Sequence, residues 1–302
     1  MSENQISYLN QKISETYNME KLFSFPVITV QPESSIFDAL LKMQINFVKH
    51  IVITVKNKPV GIVTERDINR FLGEDKTVHA LNEIPIKHVM KKNVITITYD
   101  TKDIFEQCAA RMETFKIGSV VLINDNGELT GIVSRTDLTK SYANVFGGKY
   151  LVKDFMTKKV VTCRKSDSLK YALSLMNKNK VSRLVVTNEN GFPNGLISTN
   201  TLLTHSDYFT KGNTRSRDYL LPIHGEENIT VNDLLSDELL TIYEEEDLAI
   251  AADKMIKNKV SGISVVDSNQ NLVGIVSKTD IVKVFSIVGP HEKLRSMYKE
   301  LY

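Results

Sequence analysis

Apolar and polar positions along the chain fall into one pattern that recurs four times. Each copy opens on a short apolar run such as "PVIT" or "KVVT" and passes through a polar turn. It continues into a stretch with apolar residues three and four apart, as in Leu169, Ala172, Leu173 and Met176. The short runs predict strands, and the three-to-four spacing predicts a helix. A second β-rich run follows in each copy ("HIVITV", "SVVLIN", "RLVVTN", "ISVVD"), then polar turn residues ("KNKP", "DNGE", "ENGFPN", "SNQN"). A glycine-initiated strand then runs into a final helix. The predicted unit is β-α-β-β-α.

The copies share a frame. A threonine closing the first run (Thr29, Thr98, Thr162, Thr241) stands 14 residues before a methionine (Met43, Met112, Met176, Met255). The next strand-opening glycine follows each methionine by 18, 19, 19 and 19 residues, at Gly61, Gly131, Gly195 and Gly274. Such periodicity decides architecture before any local feature does. A unit of this size cannot bury both faces of a three-stranded sheet alone, so the repeats are expected to pair.

The glycine strands end on "GIVTERD", "GIVSRTD", "GLISTNT" and "GIVSKTD". One reading of this ending is a helix cap. Thr64, Ser134 or Ser277 would accept a backbone N–H, and Asp67, Asp137 or Asp280 would answer from the third helical position. The other reading is a binding site. A cation lies between hydroxyl and carboxylate in three copies (Arg66, Arg135, Lys278), although a cation in the first turn opposes the helix dipole. The third copy, ending at Thr201, loses cation and carboxylate together. Free N–H groups, a hydroxyl and a cation suit a phosphate, and a carboxylate suits the hydroxyls of a ribose. Phosphate and ribose together point to a nucleotide.

The unit and its closing motif resemble the cystathionine-β-synthase (CBS) domain over roughly residues 21–287. The resemblance implies an α/β (α+β) fold of four repeats in two pseudo-symmetric Bateman modules. Module one spans 21–146, with repeats 21–75 and 84–146. Module two spans 150–288, with repeats 150–205 and 229–288 and an inserted segment 206–228. An extension, 1–20, precedes them, and a C-terminal helix, 289–302, follows with Leu294, Met297, Tyr298 and Leu301 on one face. The layout is similar to that of the regulatory gamma subunit of AMP-activated protein kinase.

Similar proteins bind adenosine nucleotides (AMP, ADP or ATP) with the Ser/Thr on phosphate, the Asp on ribose and the first-strand threonine (Thr29, Thr98, Thr241) framing the adenine. They also borrow side chains just before the second strand of the paired repeat. By that rule Asp137 would share Lys49 and His50, Asp280 would share Arg183, and Asp67 would receive only Gly118 and Ser119. The Asp137 and Asp280 sites, in different modules, would have no residue in common.

Composition narrows the function. The chain has 302 residues, is 42% hydrophobic and carries a net charge of +2, so no global field favours nucleic acid and any anion site is local. The N-terminal "MSENQISYLNQKISETYN" lacks the apolar centre of a secretory signal, and no apolar run approaches a membrane span; a cytoplasmic address is expected. Cys108 and Cys163 have no CxxC spacing and are expected to be buried thiols. The other histidines show no ligand spacing, so no metal is expected, and no P-loop, nucleophile elbow or HExxH occurs. The expected function is a non-catalytic adenine-nucleotide sensor without a catalytic cofactor. Family resemblance adds an expected homodimer and a regulated partner of unknown identity. The alternatives are an interaction scaffold without nucleotide, or a module for S-adenosylmethionine or a dinucleotide.

Overall fold

A computed structural model describes residues 24, 26–74, 79–101, 103–204, 229–235 and 239–288. The expected N-terminal extension, the inserted segment and the C-terminal helix lie outside the described residues. Repeat one contains β1 (Thr29–Val30), α1 (Ile36–Ile45), β2 (His50–Val55), β3 (Lys58–Thr64) and α2 (Glu65–Glu74). Repeat two contains β4 (Thr96–Thr98), α3 (Ile104–Thr114), β5 (Ser119–Ile123), β6 (Leu129–Ser134) and α4 (Arg135–Val145). The short α5 (Val152–Phe155) leads into repeat three, made of β7 (Thr162–Arg164), α6 (Leu169–Asn179), β8 (Arg183–Thr187), β9 (Pro193–Ser198) and α7 (Thr199–Thr204). Repeat four contains β10 (Thr241–Tyr243), α8 (Leu248–Lys257), β11 (Gly262–Val266), β12 (Leu272–Ser277) and α9 (Lys278–Val288).

Each repeat forms a three-stranded sheet in chain order. The first two strands are joined by a helix and run parallel; the last two are joined by a turn and run antiparallel. The turns explain the one short interval in the frame. In repeat one, Lys56 and Asn57 both adopt positive φ (49° and 60°), the geometry of a two-residue hairpin turn. In the other repeats Asn124, Asn188 and Asp267 close a longer turn, each Oδ1 accepting from the N–H groups two and four residues on.

Strand register corrects one alignment. Thr29, Thr162 and Thr241 lie opposite Val52, Val185 and Ser264, but the residue in that place in repeat two is Thr96, opposite Val121. Thr98 lies two residues further on, its hydroxyl 3.0 Å from that of Thr101. The connection to α3 is longer, and Asp103 takes a left-handed φ of 55° just before the helix. Between equivalent places the interval in repeat two is therefore 16 residues, from Thr96 to Met112, and the 14-residue count from Thr98 starts one strand position too late on the same face.

The first helices bury the faces their spacing predicts: Ile36, Ala39, Leu40 and Met43 in α1, and Leu169, Ala172, Leu173 and Met176 in α6. Cys108 and Cys163 are buried, and burial pushes both thiols up to about 12. Sheet faces join repeat one to repeat two, with Val52 against Val121 and Ile132, and β9 of repeat three approaches β11 of repeat four. Helices make the other contacts. Met43, Ile68 and Leu72 share a core with Met176 and Leu202, joining repeat one to three. Leu138, Tyr142 and Phe146 share another with Met255, Ile281 and Phe285, joining two to four. Tyr142 stacks on Phe146 at 5.2 Å, and Phe285 meets both edgewise. The repeats thus close a ring in the order one, two, four, three.

The segment leading into a repeat adds to its partner's third strand: Lys91 bridges to Ile62, Thr157 to Ile275 and Ser24 to Ile132. This is why the motif opens on glycine. A Cβ at Gly61 would stand 2.5 Å from Met90 Sδ, one at Gly274 2.6 Å from Met156 Sδ, and one at Gly195 2.7 Å from a Leu235 methyl. Gly61→Ala should therefore overpack the edge and cost about 1–3 kcal/mol. Denaturant unfolding of a double-mutant cycle checks it. Met90→Ala should be less destabilising in the Gly61→Ala background than in the parent, and strict additivity would show that the two do not press on each other.

Candidate functional site

The final helices of the repeats all start near the centre of the ring, and each start is a closed cap. Asp67 Oδ2 accepts from Thr64 N and Oγ1 at 3.1 and 2.6 Å, Asp137 Oδ2 from Ser134 N and Oγ at 2.8 and 2.6 Å, and Asp280 Oδ2 from Ser277 N and Oγ at 2.9 and 2.7 Å. Repeat three builds the same loop without a carboxylate: the hydroxyls of Ser198 and Thr201 lie 3.0 Å apart, and Ser198 N donates to Thr201 Oγ1 at 3.3 Å. A cap therefore needs no aspartate at this place. The carboxylates bring a second oxygen, Oδ1, that the cap leaves over.

Oδ1 differs among the copies. On Asp280 it takes Lys283 at 2.7 Å; on Asp67 it takes Lys91 at 3.1 Å and Arg70 at 3.6 Å. Asp137 makes no ion pair among the described residues. Burial raises its pKa, opposed by the Ser134 hydrogen bonds and the Lys140 charge. Arg70, Lys140 and Lys283 all stand three residues after the aspartate, and repeat three has Thr204 there. The sequence reading missed this. The signal was present as "DINR", "DLTK" and "DIVK" against "TLLT".

The cations do not share one register. Arg135 and Lys278 follow the hydroxyl residue directly, whereas Arg66 stands one position later and is exposed, and the equivalent of Arg135 in repeat one is the buried Glu65. Arg135 Nη2 donates to Ile117 O at 2.8 Å, and Lys278 Nζ reaches across to Thr136 Oγ1 of repeat two at 3.1 Å. His50 lies in the gap between repeats one and two, so close to Gly118 that a Cβ there would be 2.6 Å from its Nε2. Arg183 lies against Gly262, between repeats three and four, and feels the charge of Asp280. Lys49 does not turn toward Asp137. Its Nζ donates to Ser261 Oγ of repeat four at 3.0 Å, and Glu65 is its electrostatic partner. Asp137 acts instead on Lys278, and Asp280 on Arg135. Asp280 also acts on Arg183, so the electrostatic surroundings of the two aspartates overlap across the ring. Thr29 and Thr241 sit at the strand starts, their carbonyls accepting from Lys42 at 2.9 Å and Lys254 at 3.5 Å.

Lys49, Arg135, Arg183 and Lys278 thus crowd one half-buried space. Burial followed by the neighbouring cations pushes Lys278 down to about 8, and burial followed by Arg135 pushes Arg183 down to about 10. Burial also lowers Lys49 and Arg135. His50 falls to about 4 through burial, then Arg135 and Lys49, and is neutral at pH 7. Glu65 is the carboxylate among them. Burial raises its pKa, opposed by Lys49 and by the hydrogen bond from Asn200 of repeat three. Asn69 completes that junction by donating to Thr199 O at 3.0 Å. Repeat three's altered motif is thus engaged by repeat one. Groups able to hold a metal ion are absent among the described residues, and no described helix is long and apolar enough to cross a membrane.

The CBS domain family model matches residues 19–74, 86–144, 152–207 and 231–287. Protein MJ1225 of Methanocaldococcus jannaschii is 27% identical over 282 residues, covering 86% of this chain and 95% of that protein. Its crystal structure, described as that of a candidate archaeal homologue of g-AMPK, superposes with a TM-score of 0.75 over 88% of this chain and 99% of the other, at 24% identity. The homoserine O-acetyltransferase of Methanococcus vannielii is 30% identical over 135 residues, 44% of this chain but only 25% of the enzyme.

The His50 environment has a pH signature. Its folded pKa, near 4, lies below the ordinary 6.5, so the unfolded chain binds more protons between those values. The contribution of neutral His50 to stability is complete above about pH 6.5 and is lost as pH falls toward 4. Chemical denaturation from pH 7 to 4.5 should show a smaller loss for His50→Gln than for the parent; equal losses would place the imidazole in solvent.

Proposed function

The chain belongs to the CBS domain family, and from that premise we propose that it is a non-catalytic regulatory protein binding AMP, ADP or ATP between paired repeats. The observation that supports the reading is the convergence of the half-buried Lys49, Arg135, Arg183 and Lys278, beside the helix starts of repeats two and four, where Asp137 and Asp280 cap through Oδ2 and keep Oδ1 outside the cap. Half-buried cations at close quarters favour an anion of high charge, and a phosphate chain supplies it. Asp137 and Asp280 would hold ribose through Oδ1, Ser134 and Ser277 would lie by the first phosphate, and the adenine would lie toward the first strands near Thr96 and Thr241. His50 and Arg183 would close the clefts from the paired repeats. Thr29, Thr64, Arg66 and Asp67 would form a third cleft. Because Asp137 acts electrostatically on Lys278, and Asp280 on both Arg183 and Arg135, a ligand in one cleft would change the field in the other, which would give the protein a way to alter shape or partner contacts. A cytoplasmic homodimer belongs to the same proposal. S-adenosylmethionine, whose sulfonium is a cation, suits this cluster poorly.

Titration calorimetry tests the reading. AMP, ADP or ATP should bind more tightly than S-adenosylmethionine. Asp137→Ala and Asp280→Ala should each remove one binding event and weaken the one that remains by several-fold, through the overlapping electrostatic surroundings. Unchanged stoichiometry in the double variant would leave the carboxylates as caps only, and tighter S-adenosylmethionine binding would replace the ligand class.

A further inference from the structure

Asp67 differs from the other two carboxylates in one respect that its own repeat does not explain. Each of the three has a cation three residues along its helix; on Oδ1 this leaves Asp137 with no ion pair among the described residues, Asp280 with Lys283 alone at 2.7 Å, and Asp67 with Arg70 at 3.6 Å. Asp67 has a second, Lys91, delivered by the segment leading into repeat two. The backbone of Lys91 is pinned to Ile62 by hydrogen bonds of 3.0 and 2.9 Å, one in each direction. In the same register the other leading segments place Thr157 beside Ile275 and Ser24 beside Ile132. Small hydroxyl residues thus take, on the third strands of repeats four and two, the register position that Lys91 takes on that of repeat one.

The consequence follows from counting acceptors. Asp67 is almost wholly buried, and its Oδ2 already takes the backbone and side chain of Thr64. Oδ1 is the oxygen left for a ribose, and Lys91 lies on it at 3.1 Å. A ligand entering here must break the ion pair of Oδ1 with Lys91, replace it with neutral hydroxyl donors and leave the ammonium without its counter-charge. We propose that Lys91 is a specificity-determining residue that closes the first cleft to a ribose, and so sets how many nucleotides the ring takes up. The proposal rests on the nucleotide reading above.

Calorimetric titration of AMP into the full chain tests it with three proteins: parent, Lys91→Thr, and Lys91→Thr combined with Asp67→Asn. Lys91 is half exposed and Thr stands at the equivalent place in another repeat, so the first substitution should leave the thermal transition near that of the parent. Lys91→Thr should bind one equivalent more than the parent, or bind it at least about tenfold more tightly, and adding Asp67→Asn should abolish the gain. The same stoichiometry and affinities in parent and Lys91→Thr would overturn the proposal, as would a gain that survives Asp67→Asn. Absence of AMP binding in all three proteins would overturn the nucleotide reading itself, and this inference with it.

Discussion

The burial of four cations at the centre of the ring, with their mutual repulsion added to it, is the constraint on which the rest of the structure bears. Two unit charges 4 Å apart at an effective dielectric constant of 20 interact by about 4 kcal/mol. Lys49, Arg135, Arg183 and Lys278 are close enough to depress one another's affinity for protons. Something must hold them there against that repulsion. The apolar cores do so from outside: repeats one and three share one core, repeats two and four another, and a third joins the sheets of repeats one and two. Local hydrogen bonds do so from inside, with Ile117 O on Arg135, Thr136 on Lys278 and Ser261 on Lys49.

The same arrangement resolves the two readings of the repeated motif. Hydroxyl and carboxylate do form a cap, in every intact copy, through Oδ2. A cap leaves one carboxylate oxygen over, and repeat three shows that Ser198 with Thr201 caps well enough without it. Capping is therefore one use of the side chain, and it does not by itself require the aspartate; the proposed binding gives that aspartate a second use. Where it is missing, Thr201 keeps the cap and the adjacent Asn200 donates to Glu65 of repeat one.

Much of this was legible in the chain because it is local. The strand, helix and turn order, the buried methionines and the capping pairs depend on residues a few positions apart, and their spacing repeats. What stayed hidden depends on paths that spacing does not record. Thr98 matched the count to Met112, yet the longer loop before α3 moved the equivalent place to Thr96. Arg66 looked like the partner of Arg135 and Lys278, but one residue of offset on a helix turns a side chain by about 100°, and it lies exposed. Lys49 was read within its own module, whereas closure of the ring carries it to Ser261 of repeat four. Lys91 had no signal at all, since only the pairing of its segment with Ile62 brings it to Asp67.

The central claim is that the cation cluster is built for phosphate, and the most direct measurement compares the stabilisation of the full chain by AMP with that by adenosine across salt concentration. A ligand at 100 times its Kd adds about 2.7 kcal/mol at one site, worth roughly 5–10 °C in Tm for a domain of 150–250 residues. The account predicts that AMP raises Tm by such an amount at low salt, that adenosine at the same concentration raises it far less, and that the difference shrinks as salt screens the cluster. Equal shifts for both ligands, or a difference indifferent to salt, would contradict it.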